Sequence, residues 1–176
     1  TIENLFELGL LKGTMHGGRG QEALPSVLSE MIDLSKDYVL SGHRSHGLFL
    51  SFSDDITGLL GELMGKKIGY VEGKGGSQHM KYKNLMTNGI TGGMVPSSVG
   101  IGFKCKYFSK DSLSVVVFGD GAINEGYVLE SLNMASALEL PVLFIMENNT
   151  FAMSTITKKY TGGEISERIK GFGINY

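Results

Sequence analysis

Two apolar runs of strand length flank a segment with helical periodicity in the second half of the chain. Residues 113–118 and 141–146 are almost entirely apolar, which is typical of strands buried on both faces of a parallel sheet. Between them, residues 124–138 carry apolar side chains on one face of a helix. A strand, a helix and a strand in this order predict a βαβ unit with parallel neighbouring strands. We therefore expect an α/β fold in which helices flank a parallel sheet.

Polar residues follow each of these two runs. Gly119, Asp120 and Gly121 come directly after the first run, and residues 147–149, Glu-Asn-Asn, come directly after the second. The carboxyl ends of parallel strands share one edge of a sheet, where α/β proteins bind ligands. An aspartate carboxylate and an asparagine amide oxygen at that edge suit a magnesium-bound diphosphate, and glycines let main-chain N–H groups face the anion. Each motif alone is also explained by an ordinary tight turn or loop.

Apolar periodicity and residues that favour helix starts predict further helices and strands in the rest of the chain. The acidic residues before position 56 suit the start of a helix, and Gly65 suits its end. The expected elements are a helix from near residue 20 or 21 with Pro25 in its first turn, a short strand at 38–40, a helix at 56–63, and a helix with Pro96 in its first turn that ends near Lys106. Residues 69–93 are rich in Gly, Lys, Ser and Asn and predict a long loop.

Composition narrows the classes of function. The formal net charge is −2 and no basic stretch is present, so nucleic acid is not an expected partner. No apolar run approaches the roughly 18 residues of a membrane span, and no secretion signal opens the chain. We therefore expect a cytoplasmic protein without membrane contact. The single cysteine, Cys105, allows neither an internal disulfide nor a cysteine-based metal cluster.

The length and the glycine content of the chain limit its possible domain organisation. A length of 176 residues suffices for one domain with a hydrophobic core, so we expect a single domain over residues 1–176. The 26 glycines are clustered rather than scattered, which implies loops whose backbone closely approaches a ligand such as phosphate.

Five segments, in order along nearly the whole chain from Gly20, resemble alpha subunits of the heterotetrameric 2-oxo acid and acetoin dehydrogenases. They are residues 42–47 (GHRSHG), 73–80 (GKGGSQHM), 88–96 (NGITGGMVP), 119–126 (GDGAINEG) and 147–149 (ENN). The spacing of Gly-Asp-Gly from the paired asparagines resembles the thiamine diphosphate motif. The resemblance implies the thiamine diphosphate-binding fold, here its diphosphate-binding domain, with thiamine diphosphate and magnesium as cofactors.

The resemblance also implies a ligand set. Asp120, Asn149 and the main-chain carbonyl of Phe151 should ligate magnesium, with diphosphate oxygens and water completing an octahedron. The backbone N–H groups of Gly121 and Ala122 should hold the diphosphate.

Further cofactor and substrate residues follow from the same resemblance. Arg44 matches the diphosphate-binding arginine of the family, and its forked donors suit phosphate oxygens, with a surface ion pair as the alternative. Gly93 and Val95 match backbone positions that meet the aminopyrimidine ring. His43 is expected to contact diphosphate or substrate, and His16 matches a substrate-side histidine, so these two are the candidate catalytic residues.

Two other histidines carry weaker expectations. His46 is expected to order its own loop, and His79 to make a structural hydrogen bond, because spacing assigns neither a chemical role.

The implied activity is that of an oxidoreductase subunit. It would cleave acetoin, or decarboxylate pyruvate or a branched-chain 2-oxo acid, and pass the acyl fragment to a lipoyl-bearing acyltransferase. His43 and its neighbours favour acetoin. The glutamate that activates the coenzyme should come from a beta-type partner subunit, because nothing in this sequence replaces it. The chain alone should therefore be inert.

The family's alpha chains continue beyond a point that matches Tyr176. Either a second polypeptide supplies the remaining strands and loop, or the sequence is a fragment that is incomplete at its C-terminus. A noncatalytic assembly subunit and a transketolase-like enzyme are the alternative readings.

Overall fold

The computed structural model describes residues 2–11 and 13–176. The chain divides into two units, the first formed by residues up to Ser35 together with His43–Gly89 and the second by Lys36–Gly42 together with Ile90–Tyr176. The single domain expected over residues 1–176 stays a prediction.

The described part of the chain contains both helices and strands. The helices are α1 (Ile2–Glu7), α2 (Ala23–Met31), α3 (His46–Ser53), α4 (Ile56–Leu63), α5 (Met94–Phe108), α6 (Gly126–Ala137) and α7 (Ile165–Gly171), with short 3₁₀ turns at Asp120–Asn124 and Thr157–Lys159. The strands are β1 (Tyr38–Ser41), β2 (Lys81–Tyr82), β3 (Leu85–Thr87), β4 (Ser114–Gly119), β5 (Val142–Glu147), β6 (Phe151–Ala152) and β7 (Thr155–Ile156). No helix in the described part of the chain is long and apolar enough to cross a membrane.

A parallel sheet organises the second unit. Strand β4 lies between β1 and β5 and pairs with both in parallel, with Val116 opposite Leu40 on one side and Phe144 on the other. Five consecutive residues of β4 are buried, as expected for a central parallel strand. Helices α5 and α6 pack against each other, and α5 packs on β4. The predicted α/β fold and parallel βαβ unit are confirmed.

Helix α5 approaches the sheet closely because it carries a glycine where it passes β5. A Cβ added to Gly102 would lie 2.3 Å from Cγ2 of Val142. The small-residue helix predicted around Pro96 is confirmed, although α5 ends at Phe108 rather than near Lys106. Helix α6 begins later than predicted, because Asp120–Asn124 form a 3₁₀ turn and Glu125 has an extended backbone.

The first unit contains α2, α3, α4 and a β2–β3 hairpin. Helix α4 is confirmed with Asp55 as its N-cap, since the Asp55 side chain accepts a hydrogen bond from the Gly58 N–H at 2.7 Å. Helix α2 starts at Ala23, later than residue 20 or 21, with Pro25 still in its first turn. Helix α3 was not predicted. The sequence does not indicate this helix because Gly47 and the serines of α3 are weak helix formers.

A buried carboxylate organises the glycine-rich part of the first unit. The Glu62 carboxylate is fully buried. It accepts four main-chain hydrogen bonds, at 2.7–3.1 Å, from Val71, Gly73, Gly75 and Gly76. The long loop predicted over residues 69–93 is therefore tightly folded around an internal anion, and it also contains the β2–β3 hairpin.

Candidate functional site

Asp120 is the first residue after β4 and begins the 3₁₀ turn that leads to α6. Its side chain is buried, with 1% of the residue surface exposed. Oδ2 accepts a hydrogen bond from the hydroxyl of Thr157. Oδ1 is buried without a hydrogen-bond partner among the described residues. Since an isolated buried carboxylate oxygen is costly, the chemistry of this position suits a cation.

The glycine after Asp120 permits a close approach between two loops. A Cβ on Gly121 would lie 2.9 Å from the Cβ of Ala152, and 3.8 Å from the hydroxyl of Tyr160. Any side chain at position 121 would therefore push against the β6–β7 hairpin. Ala122, the next residue, has its side chain buried in the core of the second unit.

Asn149 and Phe151 lie on the exposed segment that follows β5. The Asn149 amide oxygen accepts a hydrogen bond from the Phe151 N–H at 3.0 Å, which forms a local turn. Thr150, between them, has a positive φ of 64°. The hairpin is closed by the Thr157 N–H, which donates to the Thr150 carbonyl at 2.9 Å. The segment that carries the two expected ligands is thus ordered by its own hydrogen bonds.

The expected magnesium ligands include only one carboxylate. Within residues 2–11 and 13–176, no group of three His, Cys, Asp or Glu side chains is arranged to hold a metal ion. A magnesium site does not require one, because Mg²⁺ is often bound by one or two carboxylates together with phosphate oxygens and water.

Gly93 and Val95 lie where α5 begins. The Val95 side chain is fully buried in the core, and its N–H donates to the Gly92 carbonyl at 2.9 Å. The Gly93 N–H donates to Ile90 at 2.9 Å. Gly92 has a positive φ of 69°, and a Cβ there would lie 2.8 Å from the Val128 side chain. The segment before α5 is therefore a tight turn that favours glycine.

His16, His43 and Arg44 lie together in the first unit. The two imidazole rings are 4.4 Å apart in an edge-to-face arrangement. Arg44 is exposed, and one of its N–H groups donates to the Gly17 carbonyl at 2.7 Å. Burial is the main cause that lowers the pKa of His43, and the charges of His16 and Arg44 add to it. Burial, then Arg44, lowers the pKa of His16.

The lowered pKa values favour neutral imidazoles at neutral pH. A neutral imidazole can accept a proton or a hydrogen bond. The sequence thus identified three residues that the structure brings into one cluster.

His46 is buried and bonded to the glycine-rich loop. Its Nε2 is 2.9 Å from the hydroxyl of Ser77. Burial lowers the pKa of His46, opposed by the hydrogen bond with Ser77. His46 is the first residue of α3, so this bond connects the helix to the glycine-rich loop, and the expectation that His46 orders its own loop stays a prediction. His79 has an exposed position.

Several residues of this region were not found from the sequence. Thr157 and Tyr160 form a hydrogen-bonded chain that ends on Asp120. Asn124, the last residue of the 3₁₀ turn before α6, donates to Thr161 at 2.8 Å and accepts from Arg168 of α7 at 2.9 Å. Asn124 lies inside the GDGAINEG segment, whereas Thr157 and Tyr160 follow no local pattern.

Comparison with known proteins identifies the family. The family described as "Dehydrogenase E1 component" matches residues 3–176. The pyruvate dehydrogenase E1 component subunit alpha of Zymomonas mobilis is 41% identical over 174 residues, which cover 97% of this chain and 49% of that protein. The subunit of the same name from Rhizobium meliloti is 39% identical, covering 97% of this chain and 50% of that protein. The chain thus spans about half the length of these curated relatives.

Solved structures show the same fold at low sequence identity. A protein assigned as a thiamin diphosphate-dependent enzyme from Mycobacterium smegmatis matches with a TM-score of 0.56 and 19% identity, over 93% of this chain and 28% of that one. A transketolase mutant from Pichia stipitis, solved with xylulose 5-phosphate, matches with a TM-score of 0.62 and 20% identity, over 86% and 26%. These matches bear on the fold alone. Because the family match extends over almost the entire sequence, the chain belongs to the dehydrogenase E1 component family, as its motifs implied.

Proposed function

We propose that this chain is the diphosphate- and magnesium-binding part of a thiamine diphosphate-dependent E1 alpha subunit. The observation that carries the proposal is the Asp120 carboxylate, which is buried at the end of β4 with Oδ1 lacking a hydrogen-bond partner among the described residues. A cation at this oxygen would satisfy it. The family match supports the same conclusion.

The magnesium ligands in this proposal are Asp120, Asn149 and the main-chain carbonyl of Phe151. The hydrogen bond from the Phe151 N–H to the Asn149 amide oxygen does not prevent coordination, because an amide oxygen has two lone pairs. The N–H groups of Gly121 and Ala122 would hold the diphosphate. Gly121 also lies close to the hairpin, where an added Cβ would be 2.9 Å from the Cβ of Ala152.

The remaining roles rest on the sequence resemblance. Arg44 would bind diphosphate oxygens, and Gly93 and Val95 would meet the aminopyrimidine through their backbone. His43 would contact diphosphate or substrate, and His16 would act on the substrate side. Their lowered pKa values support neutral imidazoles that accept hydrogen bonds.

Thiamine diphosphate, when bound, supplies the electron sink for cleavage of a carbon–carbon bond beside a carbonyl group. This chain's residues would bind and orient it, while a beta-type subunit would supply the activating glutamate and a lipoyl-bearing acyltransferase would receive the acyl fragment. A heterotetramer and a cytoplasmic location are part of the same proposal.

The substrate class is a 2-oxo acid or acetoin. The relatives' names favour pyruvate, whereas His43 and its neighbours favour acetoin. A panel of pyruvate, branched-chain 2-oxo acids and acetoin on the assembled enzyme, followed with an artificial electron acceptor, distinguishes them. A clear preference for pyruvate would overturn the inference from His43.

The assembled enzyme also tests the alternative of a noncatalytic subunit. We expect turnover with both subunits present, and none with this chain alone. Turnover that is unaffected by Asp120→Ala would contradict the proposed metal site. Robust turnover without a second polypeptide would contradict the subunit assignment.

A further inference from the structure

Thr157 makes two hydrogen bonds that connect separate parts of the candidate site. Its hydroxyl donates to Oδ2 of Asp120, at the end of β4. Its main-chain N–H donates to the carbonyl of Thr150, at the base of the β6–β7 hairpin. Thr157 itself is buried, with 8% of its surface exposed. One residue therefore holds Asp120 and the segment that carries Asn149 and Phe151.

The direction of the hydrogen bonds follows from the chemistry of the groups. An ionised carboxylate only accepts, so the single hydroxyl proton of Thr157 must point to Asp120. The Thr157 oxygen is then left to accept, and the hydroxyl of Tyr160 donates to it at 3.2 Å. The chain of donors therefore runs from Tyr160 through Thr157 to Asp120.

The two carboxylate oxygens of Asp120 have different surroundings. Oδ2 is held by Thr157, and Oδ1 is the buried oxygen without a hydrogen-bond partner among the described residues. Partners behind a metal ligand commonly fix its orientation and strengthen metal binding.

We propose that Thr157 is a positioning residue that orients the Asp120 carboxylate for magnesium and fixes the hairpin beside it, with Tyr160 as the supporting donor. The inference rests on the proposed function, because it assigns a purpose to the same carboxylate. Thr157 does not touch the metal in this account. It acts through Asp120.

The test measures metal affinity rather than activity. Mn²⁺ is titrated into the assembled enzyme with thiamine diphosphate, and free Mn²⁺ is followed by electron paramagnetic resonance. Thr157→Val keeps the branched shape and removes the donor, so we expect Mn²⁺ affinity to fall by about 10- to 100-fold. Thr157→Ser keeps the hydroxyl that supports Asp120 and should therefore retain affinity within about threefold. Thr155→Val, at an exposed threonine of β7, is the matched control and should behave like the wild type.

The outcomes separate this inference from the proposed function. If Asp120→Asn weakens Mn²⁺ binding while Thr157→Val binds as tightly as Thr155→Val, Thr157 has no positioning role. If Asp120→Asn itself binds Mn²⁺ normally, the metal site of the proposed function fails.

A second variant covers the case in which Thr157→Val does not fold. Tyr160→Phe removes only the distal donor, so it should weaken Mn²⁺ binding by a smaller factor in the same direction. Unchanged affinity in Tyr160→Phe would then overturn the proposal.

Discussion

Among the described residues, each unit contains one carboxylate residue with at most 1% of its surface exposed, and these two carboxylates are satisfied differently. Glu62 in the first unit accepts four main-chain hydrogen bonds, shared between both of its oxygens. Asp120 in the second unit accepts one hydroxyl bond on Oδ2, while Oδ1 has no hydrogen-bond partner in the described part of the chain.

The difference supports the proposal that Glu62 is a structural anion and Asp120 a metal ligand. Surrounding N–H groups compensate the desolvation of Glu62, so nothing further is needed there. Asp120 is left with a buried oxygen that no described residue satisfies, which is the arrangement expected of a metal ligand. Burial alone therefore does not point to a functional carboxylate, whereas burial with an unsatisfied oxygen supports one.

The largest effect on stability is expected from truncating the structural anion. Glu62→Ala leaves buried N–H groups of the glycine-rich loop without an acceptor, so it should lower the free energy of unfolding by at least about 3 kcal/mol. Urea unfolding measures this change. Glu30→Ala, at an exposed helical glutamate, is the control and should stay within about 0.5 kcal/mol. Equal effects of the two variants would show that Glu62 contributes no more to stability than an exposed glutamate.

Substitution of the glycine beside each carboxylate should likewise lower stability more at Gly75 than at Gly121. A Cβ on Gly75 would lie 1.7 Å from the His79 carbonyl oxygen, whereas a Cβ on Gly121 would lie 2.9 Å from the methyl group of Ala152 and 3.8 Å from the Tyr160 hydroxyl. We expect Gly75→Ala to cost about 2–3 kcal/mol and Gly121→Ala about 1 kcal/mol in urea unfolding. Gly126→Ala, with open space around the added Cβ, is the control. The reverse order would contradict the packing described for the two loops.

Replacing the carboxylate by its amide should lower the free energy of unfolding at Glu62 but not at Asp120. Glu62→Gln turns an amide NH₂ toward main-chain N–H groups and should destabilise the protein by about 1–2 kcal/mol. Asp120→Asn removes a half-satisfied charge and should be neutral or stabilising by up to about 1 kcal/mol in the metal-free protein. Thermal unfolding of both variants without metal measures the difference. A destabilised Asp120→Asn variant would place Asp120 among the structural anions.

The smallest expected effect is the pH dependence of stability, which should differ between the two units. All four histidines lie in the first unit, and folding lowers the pKa of His16, His43 and His46 from 6.5. Below about pH 6.5 the unfolded state therefore binds more protons, so stability should fall as pH decreases through that range and level off below the folded pKa values. Hydrogen exchange should show lower opening free energies in the first unit at pH 5.5 than at pH 7. An equal decrease in both units would contradict this cause.

The parts of the fold that follow local periodicity could be predicted from the sequence. Strands β4 and β5 are continuous apolar runs, and α4 has both an apolar stripe and an N-cap. Asp120 was found because Gly-Asp-Gly ends a buried strand, so its position follows from the βαβ topology. Arg44, His16 and His43 were found only through the family resemblance.

Other features could not be predicted because they depend on contacts between distant residues. Glu62 looks like an ordinary helical glutamate until the loop of residues 69–76 folds around its carboxylate. Thr157 reaches Asp120 across 37 positions of sequence. A single side chain that bonds to a remote group leaves no periodic pattern, so neither role is visible in the sequence alone.

Calorimetry of coenzyme binding decides whether Asp120 holds the metal. Thiamine diphosphate is titrated into the assembled enzyme with magnesium and with a chelator, for the wild type and for Asp120→Ala. We predict magnesium-dependent binding in the wild type. Loss of a residue that supports a metal ligand weakens binding by roughly 10–100-fold. Asp120→Ala removes the ligand itself, so it should weaken coenzyme binding by more than that. Equal, magnesium-dependent affinity in the two proteins would show that the buried oxygen of Asp120 does not bind the metal.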